Sequence, residues 1–357
     1  MNQPTHGAPS PTRAALRHVI THLLVPLFLG TGMALAYLGG FHHPSPHALK
    51  VDVVGTGAPT AVLAQRLQDG LGDRVALRTV PTEAAARQQL QRGELAGAFV
   101  PDARAPRLLL ATAGSQTTAQ VVEAMFAPVA IGQGLPLDVV DVVPLPQQDP
   151  TGQGVFFYMV ALTVGSYSGA IAIGAAGAAL ALRYRAALAV ATGAVLSVLA
   201  TVVAGPLYHA LPSHTVGLGL LAWLYTSAIL LIGVGLHAFL GRLTTAAMVG
   251  LFVMLNFTTS GGIFTPALQP GFFAALHSFW IGAGLVEAGR RLLYFPALGI
   301  SGEVTRLALW AGAGLALVGA AALRERRRRT PRPTTVTLPA DGTSAEAEAE
   351  IEETVAA

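Results

Sequence analysis

VFFYMVALTVGSYSGAIAIGAAGAALALRYR, from Val155 to Arg185, carries no charged residue until Arg183 and Arg185. An apolar run of this length exceeds the ~20 residues that cross a bilayer as a helix. Outward from it the pattern continues: between Thr151 and Val286 the only charged residues are Arg183, Arg185 and Arg242. These arginines punctuate the region into spans at 155–182, 186–208, 216–240 and 243–259, with a further span at 304–323. The whole chain of 357 residues is 52% hydrophobic and 11% charged, too apolar for a soluble protein of this size. Its 40 glycines and 23 prolines follow no period, which excludes collagen and fits closely packed or interrupted membrane helices.

At the N-terminal side, residues 19–41 form another span. A cleaved signal peptide is the rival, since Arg13 and Arg17 precede the run and Ala34-Leu35-Ala36 offers small residues. The apolar run is longer than a signal core, so an uncleaved anchor is preferred. Six spans put residues 1–18 and the arginines at 183, 185, 242 and 324–332 together in the cytoplasm, as arginine in short loops requires, with the chain in the plasma membrane. A seventh span would export that last cluster. Residues 266–302 are therefore expected to be a re-entrant hairpin before the last span, entering from the outer face. The expected fold is a membrane all-α bundle of six transmembrane helices carrying an extracytoplasmic α/β domain between helices one and two.

That domain, residues 42–150, holds eight basic and ten acidic residues. Short apolar runs predict strands at 51–54, 75–80, 95–100, 107–111 and 139–143. Helices are predicted at 59–71, at 82–92 with Thr82 as its cap, and at 115–131. Pro144–Gly154, with three prolines and two glycines, reads as the linker into the membrane region of residues 151–323. Residues 324–357 begin basic and end in Glu346, Glu348, Glu350, Glu352 and Glu353, the composition of a disordered cytoplasmic tail.

Chemistry is sparse. The absence of cysteine removes disulfides and thiolate metal sites, and a single lysine, Lys50, removes the Gly-Lys-Ser/Thr phosphate loop. Neither HExxH nor Gly-x-Ser-x-Gly occurs, and Gly165-Ser166-Tyr167-Ser168-Gly169 has tyrosine at the nucleophile position. No enzyme activity, cofactor or metal is expected. The pI near 9.5 comes from dispersed arginines plus the cluster at 324–329, which suits topology and anionic lipid rather than nucleic acid. Carboxylates are missing from Gly152 to Val286, leaving His22 and His237 as in-span ionisable groups, read as packed or interfacial. His42, His43, His47, His209 and His214 read as loop residues. Arg183-Tyr184-Arg185 reads as the whole turn between two spans, a cationic loop able to couple to a partner. Most informative is NFTTSGGIFTPALQPGFF, Asn256–Phe273, where glycine and proline break an apolar helix just inside the outer surface. Phe272, Phe273, Phe279 and Trp280 follow it and suit an element wedged at the outer leaflet.

In this plan of an anchor, a large external domain and five more spans, and in the run Ser260-Gly261-Gly262, Phe264, Pro266, Pro270, Phe272 and Phe273 with Arg290 downstream, the chain resembles the type-2 ABC export permeases, in particular the branch similar to phage-infection-protein membrane proteins. The resemblance implies a half-transporter that pairs with a second copy or a sister permease. It also implies a separate cytoplasmic ATPase as the energy source and lipidic or amphipathic cargo. The alternative from the residues is a non-transporting envelope scaffold or receptor acting through the external domain. An ion-coupled carrier, resting on His237, is third.

Overall fold

The computed structural model describes residues 11–132, 134–211 and 213–329. Helix α1 (Pro11–Phe41) leads into strand β1 (Leu49–Val54), followed by α2 (Ala58–Leu71), β2 (Val75–Val80), α3 (Glu83–Gln91), β3 (Gly97–Val100), β4 (Arg107–Leu110), α4 (Gln116–Ile131) and β5 (Asp138–Asp141). The sheet order is β2-β1-β3-β4-β5. Strand β1 runs parallel to β2 and β3, β4 antiparallel to β3, and β5 parallel to β4. Alternation along each strand feeds two cores. Leu108 and Leu110 turn to the face covered by α2 and α4, with Val51, Val53 and Phe126; Leu109 turns to the other, with Leu90 and Ala86 of α3. Thr82 caps α3 by accepting the Ala85 N–H at 3.2 Å, as its sequence position predicts, and Ser115 does the same for α4. The last strand ends two residues earlier than expected. Asp141 accepts the Val143 N–H at 3.2 Å, and this local turn interrupts the regular ladder although Val142 and Val143 still form backbone hydrogen bonds with Leu110 and Ala113.

The remaining elements are helical: α5 (Gly154–Ala176), α6 (Leu182–Val202), α7 (Thr215–Leu240), α8 (Thr244–Val249), α9 (Asn256–Thr259), α10 (Gly271–His277), α11 (Ile281–Tyr294) and α12 (Ser301–Arg329). Five helical stretches are long and apolar enough to cross a membrane, or six if the bent pair α10–α11 counts as one span. One stretch, Thr215–Thr259, has 45 residues. At 1.5 Å per residue that is about 68 Å, twice the ~30 Å hydrocarbon core. It does not run straight. Gly241 takes φ 52°, and the chain folds back there so that Gly233 meets Met248 and Tyr225 bonds Asn256. Residues α8 to α9 thus form a return pass, wound as a π-helix over Gly250–Leu255.

Contacts fix which helix ends lie together. The α/β domain stands at the end shared by the C-terminus of α1 and the N-termini of α5 and α7. Gly217 near the start of α7 faces Leu292 of α11, and Gly289 faces Val155 of α5. Phe273 of α10 packs on Gly39 and Gly40 of α1. Helices α10 and α11 are bent by 70° and both their outer ends lie at this domain end, with the bend inside the bundle beside Trp310.

Several boundaries differ from the sequence reading. Helix α5 stops at Ala176, not at 182, because Gly177 closes it. The turn is therefore residues 177–181, and Arg183-Tyr184-Arg185 forms the first turn of α6 instead of the connection itself. The cluster expected to open a disordered tail is helical as far as Arg329. Residues 330–357 and 1–10 lie outside the described residues, while 11–18 already belong to α1.

Candidate functional site

The site begins with a helix C-terminus. The last carbonyls of a helix have no intrahelical partner and form its negative end, so they need donors, preferably cationic ones. At the end of α9 each such donor is a side chain from downstream. Gln269 Nε2 donates to Thr258 O at 2.6 Å and His277 Nδ1 to Thr259 O at 2.8 Å. Arg290 places one guanidinium N–H on Gly261 O at 2.8 Å and another on Gly262 O at 3.0 Å. Gly261 has φ 75°, which turns these carbonyls inward, and a Cβ there would sit 2.7 Å from His277 Cε1. Ser260 braces the turn: its hydroxyl donates to Phe257 O and accepts the Gly262 N–H.

Around this turn lies a charged cluster. His277 Nε2 is 3.1 Å from Glu287 Oε1, Arg291 bonds Glu303 at 3.2 Å and Gly299 O at 3.0 Å, and Arg306 reaches His277 O at 3.5 Å. Asp149 accepts the N–H groups of Gln153 and Gly154 at the start of α5 and the Tyr294 hydroxyl at 3.3 Å. Glu287, Arg290 and Arg291 form one wall of a cavity of about 470 Å³ whose opposite wall is the α/β domain, with Lys50, Arg92 and Glu94.

Residues 264–268 lead from the turn into that domain. Leu268 is fully buried in the core under α2 and α4, with Phe264 and Ala267 packed beside it. Thr117 Oγ1 donates to Ile263 O at 2.7 Å, Thr118 and Thr265 share a hydroxyl contact at 2.9 Å, and the Ser45 and His47 N–H groups bond Leu268 O and Ala267 O. This segment is a plug in a protein core.

Of the residues singled out in sequence, Ser260, Gly261, Gly262 and Arg290 converge on one hydrogen-bonded unit. Phe264 and Pro266 belong to the plug, and Pro270 precedes the first turn of α10. The aromatic residues divide: Phe272 and Phe279 are exposed, whereas Phe273 and Trp280 are buried, so only the first two have the outward face a wedge requires. Arg183, Tyr184 and Arg185 lie at the opposite end of the bundle. Arg183 stacks over the exposed Tyr184 ring at 4.8 Å. Arg185 is buried and donates to Leu180 O at 2.9 Å and Ala178 O at 3.0 Å, so it holds the turn closed. His237 packs against Gly174. Sequence reasoning missed His277, Glu287, Gln269 and Asp149; the usable signal was that Glu287 is the first carboxylate after the long uncharged run.

A second buried polar group links the passes: Asn256 Nδ2 donates to Tyr225 Oη at 2.8 Å, and Tyr225 contacts Thr163 Oγ1 at 2.5 Å. Comparison of the chain with protein-family models, curated proteins and solved structures finds no match in any of the three.

Proposed function

We propose that the chain is the membrane permease subunit of an ATP-driven exporter of the type-2 ABC class, in the phage-infection-protein-like branch, moving a lipidic or amphipathic compound outward. The observation that carries this reading is the cavity at the domain end. It has charged walls from α11 and β1 and apolar lining from Phe295 and Leu298, a mixture suited to an amphipathic molecule. Arg183, Arg185 and Arg242 lie at the other end, which the arginine rule assigns to the cytoplasm. On that assignment the α/β domain is extracytoplasmic and the α10–α11 pair is re-entrant from the outer face, with non-helical backbone tolerated there because it is buried in protein. The partners would be a cytoplasmic ATPase, meeting the exposed Arg183 and Tyr184, and a second copy or a sister permease.

The test is purification of the tagged full-length chain from its native membranes. An ATPase subunit that co-purifies, together with loss of ATP-dependent efflux of amphipathic compounds on gene deletion, is the expected result. Absence of any ATPase with unchanged efflux overturns the proposal. A scaffold or receptor is the second reading, favoured by the groove between α2 and α4, with Arg66 and Arg74 beside Met125 and Val129. It predicts that Arg183→Glu with Tyr184→Ala leaves function intact, whereas the exporter loses ATPase association.

A further inference from the structure

His277 Nδ1 faces the carbonyl oxygen of Thr259, and a carbonyl only accepts, so Nδ1 carries hydrogen. In a neutral imidazole Nε2 is then a bare lone pair. That atom lies 3.1 Å from Glu287 Oε1, and an ionised carboxylate is also acceptor-only. Two lone pairs at hydrogen-bond distance repel; one proton between them turns the contact into a charge-assisted hydrogen bond. Among the described residues no arginine makes a hydrogen bond to Glu287 in place of that proton. Arg290 gives one N–H each to Gly261 O and Gly262 O, with no hydrogen bond to Glu287, and Arg291 approaches Glu287 no closer than 4.0 Å.

We propose that His277 and Glu287 form a binding site for a single proton, and that its release loosens the α9 turn from α11, giving the protein a pH response at the end where the α/β domain stands. The two protonated forms, imidazolium with carboxylate and imidazole with carboxylic acid, are one macroscopic state of a coupled pair. His277 is buried, whereas the Glu287 side chain is 31% exposed and lines the cavity, which gives the proton a route to water. Groups facing the pair are Arg290 and Arg291 from α11, Glu303 and Arg306 from α12, and Lys50, Arg92 and Glu94 across the cavity. Losing the proton sets a carboxylate against the imidazole lone pair, and the strain falls on the Thr259 bond that His277 makes with its other nitrogen.

The experiment uses the full-length protein in lipid nanodiscs, with 15N-labelled histidine and 13C-carboxyl-labelled glutamate, followed by NMR from about pH 5 to about pH 9. The His277 signal is the one that moves in Glu287→Gln, and its loss in His277→Gln confirms the assignment where that variant folds. The expected result is one proton on the pair at neutral pH, leaving both residues in a single shared step as the pH rises. Glu287→Gln supplies an amide N–H to a neutral Nε2, so its thermal midpoint should become insensitive to pH where the wild type falls. A folded wild type with a bare Nε2 and an ionised Glu287 at neutral pH overturns the proposal. So does a Glu287→Gln variant whose thermal midpoint follows the wild-type pH profile.

Discussion

Arg290 shows how one side chain holds a broken helix in place. Two of its guanidinium N–H groups reach two successive carbonyls of a glycine turn, a fork geometry that the single ammonium of lysine does not reproduce. Arg290→Lys is therefore expected to lower the stability of the purified protein by about 1–3 kcal/mol, seen as a drop in thermal midpoint. A midpoint equal to wild type would contradict the bridging role. In the α/β domain, Glu83 bonds both Arg87, at 2.8 Å, and Arg107, at 2.6 Å. The hydrogen bond from Arg87, aided by the charge of Arg107, holds its carboxyl below the ordinary glutamate value. Because the folded value is lowered, the stabilisation is complete above the ordinary glutamate range and disappears as pH falls through the folded value. Both arginines are more than a third exposed, so screening limits the effect to about 0.5–1 kcal/mol. Glu83→Gln should flatten the acid limb of the thermal midpoint against pH by that amount and leave the alkaline limb unchanged.

Among the elements, the segment Pro266–Leu268 joins the bent pair to the α/β domain most directly. Leu268→Ala removes a fully buried side chain from the core under α2 and α4 and is expected to cost about 2–5 kcal/mol. Limited proteolysis should then cut within residues 42–150 earlier than in wild type, while exposed Phe272→Ala leaves the cleavage rate unchanged. Much of this domain was legible, because β-branched and apolar runs of four to six residues between capped helices specify strands locally. Val51–Val54, Val75–Val80 and the Thr82 cap needed nothing from the rest of the chain. The connection at Arg183-Tyr184-Arg185 was misplaced for a definite reason. Charge marks where a chain meets water, whereas the helix ended earlier at Gly177, and Arg185 turned back to bond the carbonyls of the turn. His277 and Glu287 were illegible because the break at residues 278–280 separates them, and only the 70° bend brings the two side chains together. Gln269 was hidden similarly, since nothing local indicates that its amide reaches Thr258 O. Leu268 carried no signal of its destination either: a leucine after a proline in an apolar stretch reads the same in lipid and in a protein core.

At the scale of the whole molecule, the α/β domain, the cavity and both outer ends of the bent pair share one end of the bundle, and Arg183, Arg185 and Arg242 share the other. On the proposed function, with the arginine end in the cytoplasm, this polarity would let cargo be received and released on opposite sides and would present the loops beside Tyr184 to a cytoplasmic motor. The rule that arginines in short loops stay inside supports the assignment. Helices α6 and α7 are two consecutive passes that return Arg242 to the same end as Arg183, so the rule applies to all three arginines together. The chain has no cysteine, so single cysteines can be introduced without interference. Ile131 on α4 and Tyr184 at the start of α6 are both well exposed, and they lie at opposite ends. Labelling of Ile131→Cys and Tyr184→Cys with a membrane-impermeant maleimide, in intact cells and after lysis, tests the account most directly. The predicted result is that Ile131→Cys reacts in intact cells and Tyr184→Cys reacts only after lysis; the reverse pattern would contradict it.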